Sequence, residues 1–108
     1  MAFKLTQKPT FTVPVKVYMP NDKGTFDVSD FNVVFHRPNL EELDELREMK
    51  PRDAMTKTIV GWDNLVDEGN AQVGFNEDNL QALLVIPQAL KAVNEAFWNS
   101  LFKAAEKN

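Results

Sequence analysis

Cysteine is absent from this chain of 108 residues, so neither a disulfide nor a thiolate metal site can hold it together. Histidine occurs once, at position 36, which leaves any acid–base chemistry with a single imidazole. The four glycines stand apart at 24, 61, 69 and 74, so there is no glycine-rich loop to cradle a phosphate. No apolar run approaches the length of a membrane-crossing helix. The opening Met1-Ala2-Phe3-Lys4-Leu5-Thr6-Gln7-Lys8-Pro9 lacks the apolar core of a signal peptide, so the expected location is the cytoplasm. A basic stripe is missing too. Residues 1–40 carry five basic and three acidic groups (+2), residues 41–80 four and eleven (−7), and residues 81–108 three and two (+1). The acidic middle repels a phosphate backbone, and nucleic acid is not an expected partner.

What is present describes an ordinary globular domain, 44% hydrophobic and 26% charged, of a size that builds one core. Residues 1–108 are read as a single domain: a loose arm over 1–10, a β-hairpin over 11–37 and a helical part over 39–105. In the hairpin Phe11, Val13, Val15, Val17 and Met19 alternate with polar partners, the two-residue period of a half-buried strand. Pro14 cannot donate to a ladder, which places this strand at an edge or a bulge. Pro20 to Gly24 is a turn. In the second strand Phe26 and Val28 fall on one phase and Phe31, Val33 and Phe35 on the other, so a bulge is expected near Ser29-Asp30.

Asn39 with Glu42 three residues on is a capping box for a helix carrying Leu40, Leu43, Leu46 and Met49 inward. Pro51 ends that helix, and Asp53 can cap a short one bearing Ala54, Met55 and Ile59. Asn76, followed by Glu77 and Asp78, starts another, with Leu80, Leu83 and Leu84 on its inner side. Pro87 opens the last helix. The fold class is therefore α+β, an N-terminal antiparallel β-hairpin or small sheet packed on a helical C-terminal half.

Catalytic readings find little to stand on. No serine lies in a nucleophile-elbow pattern, and His36 reads as a structural or solvated side chain. The stretch Asp63 to Asn70 offers Asp63, Asp67 and Glu68 as metal ligands. It departs from a calcium loop at its third position (Leu65), its sixth (Glu68) and its twelfth, which lacks a glutamate. A metal-dependent hydrolase built on those three acids is the weakest of the readings. The acids Glu41, Glu42, Asp44, Glu45 and Glu48 fall mostly opposite the leucines, as a wet helix face does. The expectation is a non-enzymatic protein with no cofactor and no metal site.

The last helix is more informative. Ile86, Leu90, Val93, Phe97, Leu101 and Ala104 line one face at 3.6-residue spacing. Trp98, Phe102 and Ala105 lie on a flank continuous with it, so the apolar arc is wider than one neighbour requires. Either the hairpin covers that flank, or Trp98, Leu101, Phe102 and Ala105 form a partner-binding surface, where an aromatic anchor is worth ~2 kcal/mol or more.

From Ile59 to about Phe102 the chain resembles the tail assembly chaperones of long-tailed, siphophage-like phages and prophages. The resemblance is carried by Val60-Gly61-Trp62, the acidic turn Asp67-Glu68-Gly69, and Val73-Gly74-Phe75. It continues through Asn76-Glu77-Asp78-Asn79-Leu80 with Leu83-Leu84, then Pro87 and a terminal helix containing Ala96-Phe97-Trp98. It implies a viral chaperone that binds the long, apolar, helical tape measure protein, keeps it soluble, helps recruit tail tube protein, self-associates, uses no cofactor and leaves the finished particle. The alternative is a structural tail or head-completion protein retained in the virion.

Overall fold

The computed structural model describes residues 1–102. Its elements run β1 (Thr10–Pro20), β2 (Phe26–His36), α1 (Leu40–Glu48), α2 (Pro51–Thr58), β3 (Ile59–Asp63), α3 (Glu77–Leu84) and α4 (Pro87–Leu101). The strands form one antiparallel sheet in the order β1-β2-β3, and the helices pack beside it. The architecture is α+β, with the sheet N-terminal and the helices following.

The alternation in β1 sets which face is buried. Val15 and Val17 are buried, Phe11, Val13 and Met19 are partly so, and each even-numbered neighbour is exposed. Across the ladder Val15 pairs with Phe31, Val13 with Val33 and Phe11 with Phe35, giving one continuous apolar sheet face. At the tip, Asn21 accepts from the amides of Lys23 and Thr25 through Oδ1, and Gly24 takes a φ of +78° that favours glycine.

Two expectations about strands change. The β1–β2 register is continuous from Thr10↔His36 to Pro20↔Phe26, so no bulge lies at Ser29-Asp30. Phe26 and Val28 stay on the outer face and are exposed, Phe26 to 61%. The bulge is instead between β2 and β3, at Val34/Phe35. β3 itself falls inside the part expected to be helical. Ile59 belongs to this strand rather than to α2, and buries there against the core.

The inner sheet face meets Leu46, Ala54, Met55, Leu80, Leu84, Ala89, Val93 and Phe97 in a single core. Its centre is aromatic. Phe97 lies 5.1 Å from Phe35 and 6.3 Å from Phe11, ring centre to ring centre, and Phe11 and Phe35 are 5.6 Å apart. Fully burying side chains of this size contributes ~1.5–3 kcal/mol each. Thr58, buried among them, donates its hydroxyl to the carbonyl of His36 at 3.4 Å.

The helix starts follow the sequence closely. Asn39 Oδ1 accepts from the Glu42 amide at 2.9 Å while Glu42 Oε1 accepts from the Asn39 amide at 3.1 Å, a complete capping box. Asn76 accepts from Asn79 at 2.8 Å. α2 begins differently from the expectation: Lys50 is its cap and Pro51 occupies the first turn, while Asp53 lies within the helix. Leu40 also differs, being 70% exposed, whereas Leu43 and Leu46 are buried. In α4 the buried positions are Ala89, Val93 and Phe97, with Leu90 half-buried and Ile86 exposed at the cap. The small side chains of Ala89, Ala92 and Ala96 allow α4 to lie close to the core, and its packing centres one position round from the expected stripe.

Candidate functional site: an apolar cleft at the hairpin tip

The surface expected to bind a partner divides when its residues are placed. Trp98 is half-buried within its own domain. Its indole N–H donates to Asn94 Oδ1 at 3.2 Å, its ring stands edge-on to Phe97 at 5.1 Å, and the Arg47 guanidinium sits 5.9 Å from the ring centre. Together with Leu46, Met49, Pro51 and Ala54 it lines the junction of α1 and α2. Leu101 is half-buried against the core. Phe102 is 61% exposed and is the bare part of that flank. Ala104 and Ala105 lie outside the described residues.

A second concave surface, not expected from the residue pattern, forms at the opposite end of α4. Phe26 to Asp30 of β2 are exposed, while Val17 and Met19 on the paired half of β1 stay packed at the core. Val17 and Met19 on its inner face, Leu65 and Val66 from the β3–α3 connection, and Leu83 with Ile86 at the α3–α4 junction enclose a cleft of about 250 Å³. Its lining is predominantly apolar. It is smaller than the ~300–1,000 Å³ typical of small-molecule sites and suits side chains of another polypeptide. A larger groove of about 460 Å³ between β1 and α4 is lined by Lys16, Gln88, Lys91, Glu95 and Asn99 as well as Tyr18 and Phe26. Its mixed polarity makes it a poorer seat for an apolar segment.

One wall of the cleft is held by side-chain and backbone bonds between the segments around Trp62 and Val73. Trp62 donates its indole N–H to the Val73 carbonyl at 2.7 Å and meets Phe75 edge-on at 4.9 Å. Val73 in turn donates its amide to the Leu65 carbonyl at 2.8 Å, and Val66 bridges to Gln72. Asp67 Oδ1 accepts from the amides of Gly69 and Ala71, an Asx turn that closes the loop end. Asn64 and Asn70 adopt φ of +64° and +62°, a region Asn tolerates better than most residues. An aliphatic side chain at position 61 would gain bulk beside Val34, since a Cβ there would lie 3.6 Å from that of Val34. Gly61-Trp62, the acidic turn and Val73-Gly74-Phe75 are thus a scaffold that presents Leu65 and Val66.

The other sites considered from sequence fall elsewhere. His36 lies half-buried, and its Nε2 donates to Glu42 Oε2 at 2.8 Å. The Asn39 amide, and then His36, hold the Glu42 carboxyl below its ordinary range. Lys57 is raised by its bond to Glu45 at 2.8 Å. Asp63 pairs across the sheet with Asn32, and Asp67 serves the turn just described. Among the described residues no three His, Asp or Glu side chains gather as metal ligands do, and no helix is long and apolar enough to cross a membrane. Comparison with known protein families, curated proteins and solved structures yields no match for this chain.

Proposed function

We propose that this protein is a tail assembly chaperone of a long-tailed phage or prophage, acting in the bacterial cytoplasm. It binds the tape measure protein before the tail tube closes around it and keeps that long apolar helix soluble. The tail tube protein is a second partner, and no catalytic step or cofactor is involved. The observation that carries this reading is the apolar cleft between Met19, Leu65, Val66 and Ile86, one wall of which is built by the segments on which the resemblance to such chaperones was drawn. A groove of this kind receives the apolar stripe of an amphipathic helix. Exposed Phe26, Val28 and Tyr18 on the hairpin and Phe102 at the far end of α4 extend the apolar surface available to a long client.

Co-expression of a tape measure segment with the intact chain tests the reading. The soluble fraction of the segment should rise several-fold, and Ile86→Asp should remove most of the gain while leaving the fold intact, because Ile86 is exposed at a helix cap. A segment equally insoluble with and without the chain sinks the proposal. Mass spectrometry of purified particles separates a chaperone, absent from them, from a structural tail component, present at stoichiometric level.

A further inference from the structure

β1 is an edge strand, paired with β2 on one side and with no strand on the other. Which of its backbone groups face the open side follows from the bonds at the two ends of the ladder. The Arg37 amide donates to the Pro9 carbonyl, and the Asn21 amide donates to the Thr25 carbonyl. Both bonds involve an odd-numbered residue on the β1 side, and hydrogen-bonded pairs recur at every second residue of an antiparallel ladder. Odd-numbered residues of β1 therefore bond to β2, while even-numbered ones aim their N–H and C=O outward. Pro14 and Pro20 both stand at outward positions, so their missing N–H groups cost the sheet no bond. Between them Lys16 and Tyr18 offer two donors and two acceptors. Among the described residues no group takes these up.

Beside this window runs the groove of about 460 Å³ between β1 and α4. Ala92 and Ala96 lie along it, with Gln88, Lys91, Glu95 and Asn99 as its polar wall. Tyr18 and Phe26, both more than half exposed, stand on its β1 side.

Backbone chemistry and spacing decide what can fill it. A helix spends its backbone groups on its own turns, so only an extended chain can meet the four open ones. A second folded copy pairing β1 with β1 is excluded by α4, which packs chiefly on β1 among the strands. Paired strands stand ~4.8 Å apart, and the two α4 helices would be drawn to about that spacing, where packed helices need ~8–10 Å.

We infer that this edge takes up a short extended segment of another polypeptide, added as a fourth strand antiparallel to β1. The segment's residues opposite Lys16 and Tyr18 exchange backbone bonds with them and share their outer face. That suits an acid beside Lys16 and an apolar side chain beside Tyr18 and Phe26. The residue between them turns inward over Ala92 and Ala96 and faces the polar wall, which suits an amide. Pro14 and Pro20 close the ladder at both ends and hold it to about five residues. This surface is distinct from the apolar cleft, and the inference does not rest on the proposed function.

A capped peptide, Thr-Phe-Gln-Glu-Thr, places Phe opposite Tyr18 and Glu opposite Lys16 and is titrated into the intact, isotope-labelled chain. The amide signals of Lys16 and Tyr18 should move most and gain protection from exchange, with a Kd of ~1 mM or tighter. Backbone N-methylation of the peptide reads the parity directly. At its Phe or Glu it deletes a donor aimed at β1 and should weaken binding ~10-fold. At its Gln it deletes a donor aimed at solvent and should leave Kd within about twofold. Lys16→Pro, which removes an outward donor that β2 does not use, should abolish binding while the β1–β2 amides keep their protection. Equal affinity for the three methylated peptides, or no movement at Lys16 and Tyr18 up to ~5 mM peptide, overturns the inference. So does protection of those two amides in the peptide-free chain that disappears on dilution, which gives the edge to a second copy. No tape measure segment enters these measurements, so their outcome is separable from that of the co-expression experiment.

Discussion

Replacing Trp62 by phenylalanine isolates the element that stiffens the cleft wall. The substitution keeps a ring that can still meet Phe75 but deletes the indole N–H that donates to Val73 at 2.7 Å. A neutral hydrogen bond contributes ~0.5–1.5 kcal/mol net. The orphaned carbonyl adds little, because Val73 is half-buried and water can reach it. The smaller ring forfeits part of its apolar burial and of an edge-on contact worth ~0.5–1.5 kcal/mol. The sum is ~1–2.5 kcal/mol, and for a domain of this size each kcal/mol lowers Tm by ~4–8 °C, so a fall of ~4–20 °C is expected. The location of the loss matters more than its size. In hydrogen exchange the amides of Gly69, Ala71 and Val73, which are bonded inside the loop, should lose protection first. The β1–β2 ladder should change only by the global amount. Client binding should weaken with the loop. If those three amides keep their protection, or if exchange accelerates uniformly, Trp62 does not act as the pin described here.

Other substitutions test the core and the caps. Phe97→Ala empties the centre of the aromatic cluster and should cost ~3–5 kcal/mol, read as a lower denaturant midpoint at an unchanged slope. Asn39→Ala removes one arm of the capping box and should cost ~1 kcal/mol by the same titration. Glu42 supplies a pH dependence. Its carboxyl is held below the ordinary value by the Asn39 amide and by His36, so its contribution is present above the unfolded-state pKa and is lost as pH falls through the lowered folded value. In Glu42→Gln the acid limb of a stability–pH curve should flatten, while the curve keeps its shape at higher pH.

What could be read from residues alone follows from how local each signal is. Period-two alternation placed the inner face of β1 correctly, because that face is buried along most of the strand. The same reasoning failed at Phe26 and Val28, where it assumed that apolar side chains must face the core and so required a bulge. The ladder instead keeps its register, which leaves Phe26 and Val28 on the outer, solvated face of the sheet. The caps at Asn39 and Asn76 were legible because capping involves only three or four consecutive residues. Leu40 was misplaced because steps of three residues precess by ~60° per step around a helix, carrying it off the arc that Leu43 and Leu46 share. β3 is five residues long and interrupted by Gly61, too short to show a period. The cleft was invisible for a different reason: its walls come from three segments far apart in sequence. Of the four residues expected to bind a partner, Trp98 packs from α4 onto the junction of α1 and α2, Phe102 is bare, Leu101 lies between these extremes, and Ala105 falls outside the described residues.

Pro14 sits in the middle of β1, one of the sheet's two edge strands, with its ring exposed and no N–H to offer. A protein that keeps Phe3, Leu5, Phe26 and Phe102 in water risks stacking copy upon copy through the backbone of an open strand. One missing donor interrupts the row of bonds that such a fibre would need. Along this edge the greasy surfaces then meet other chains through side chains rather than through an unbroken backbone ladder.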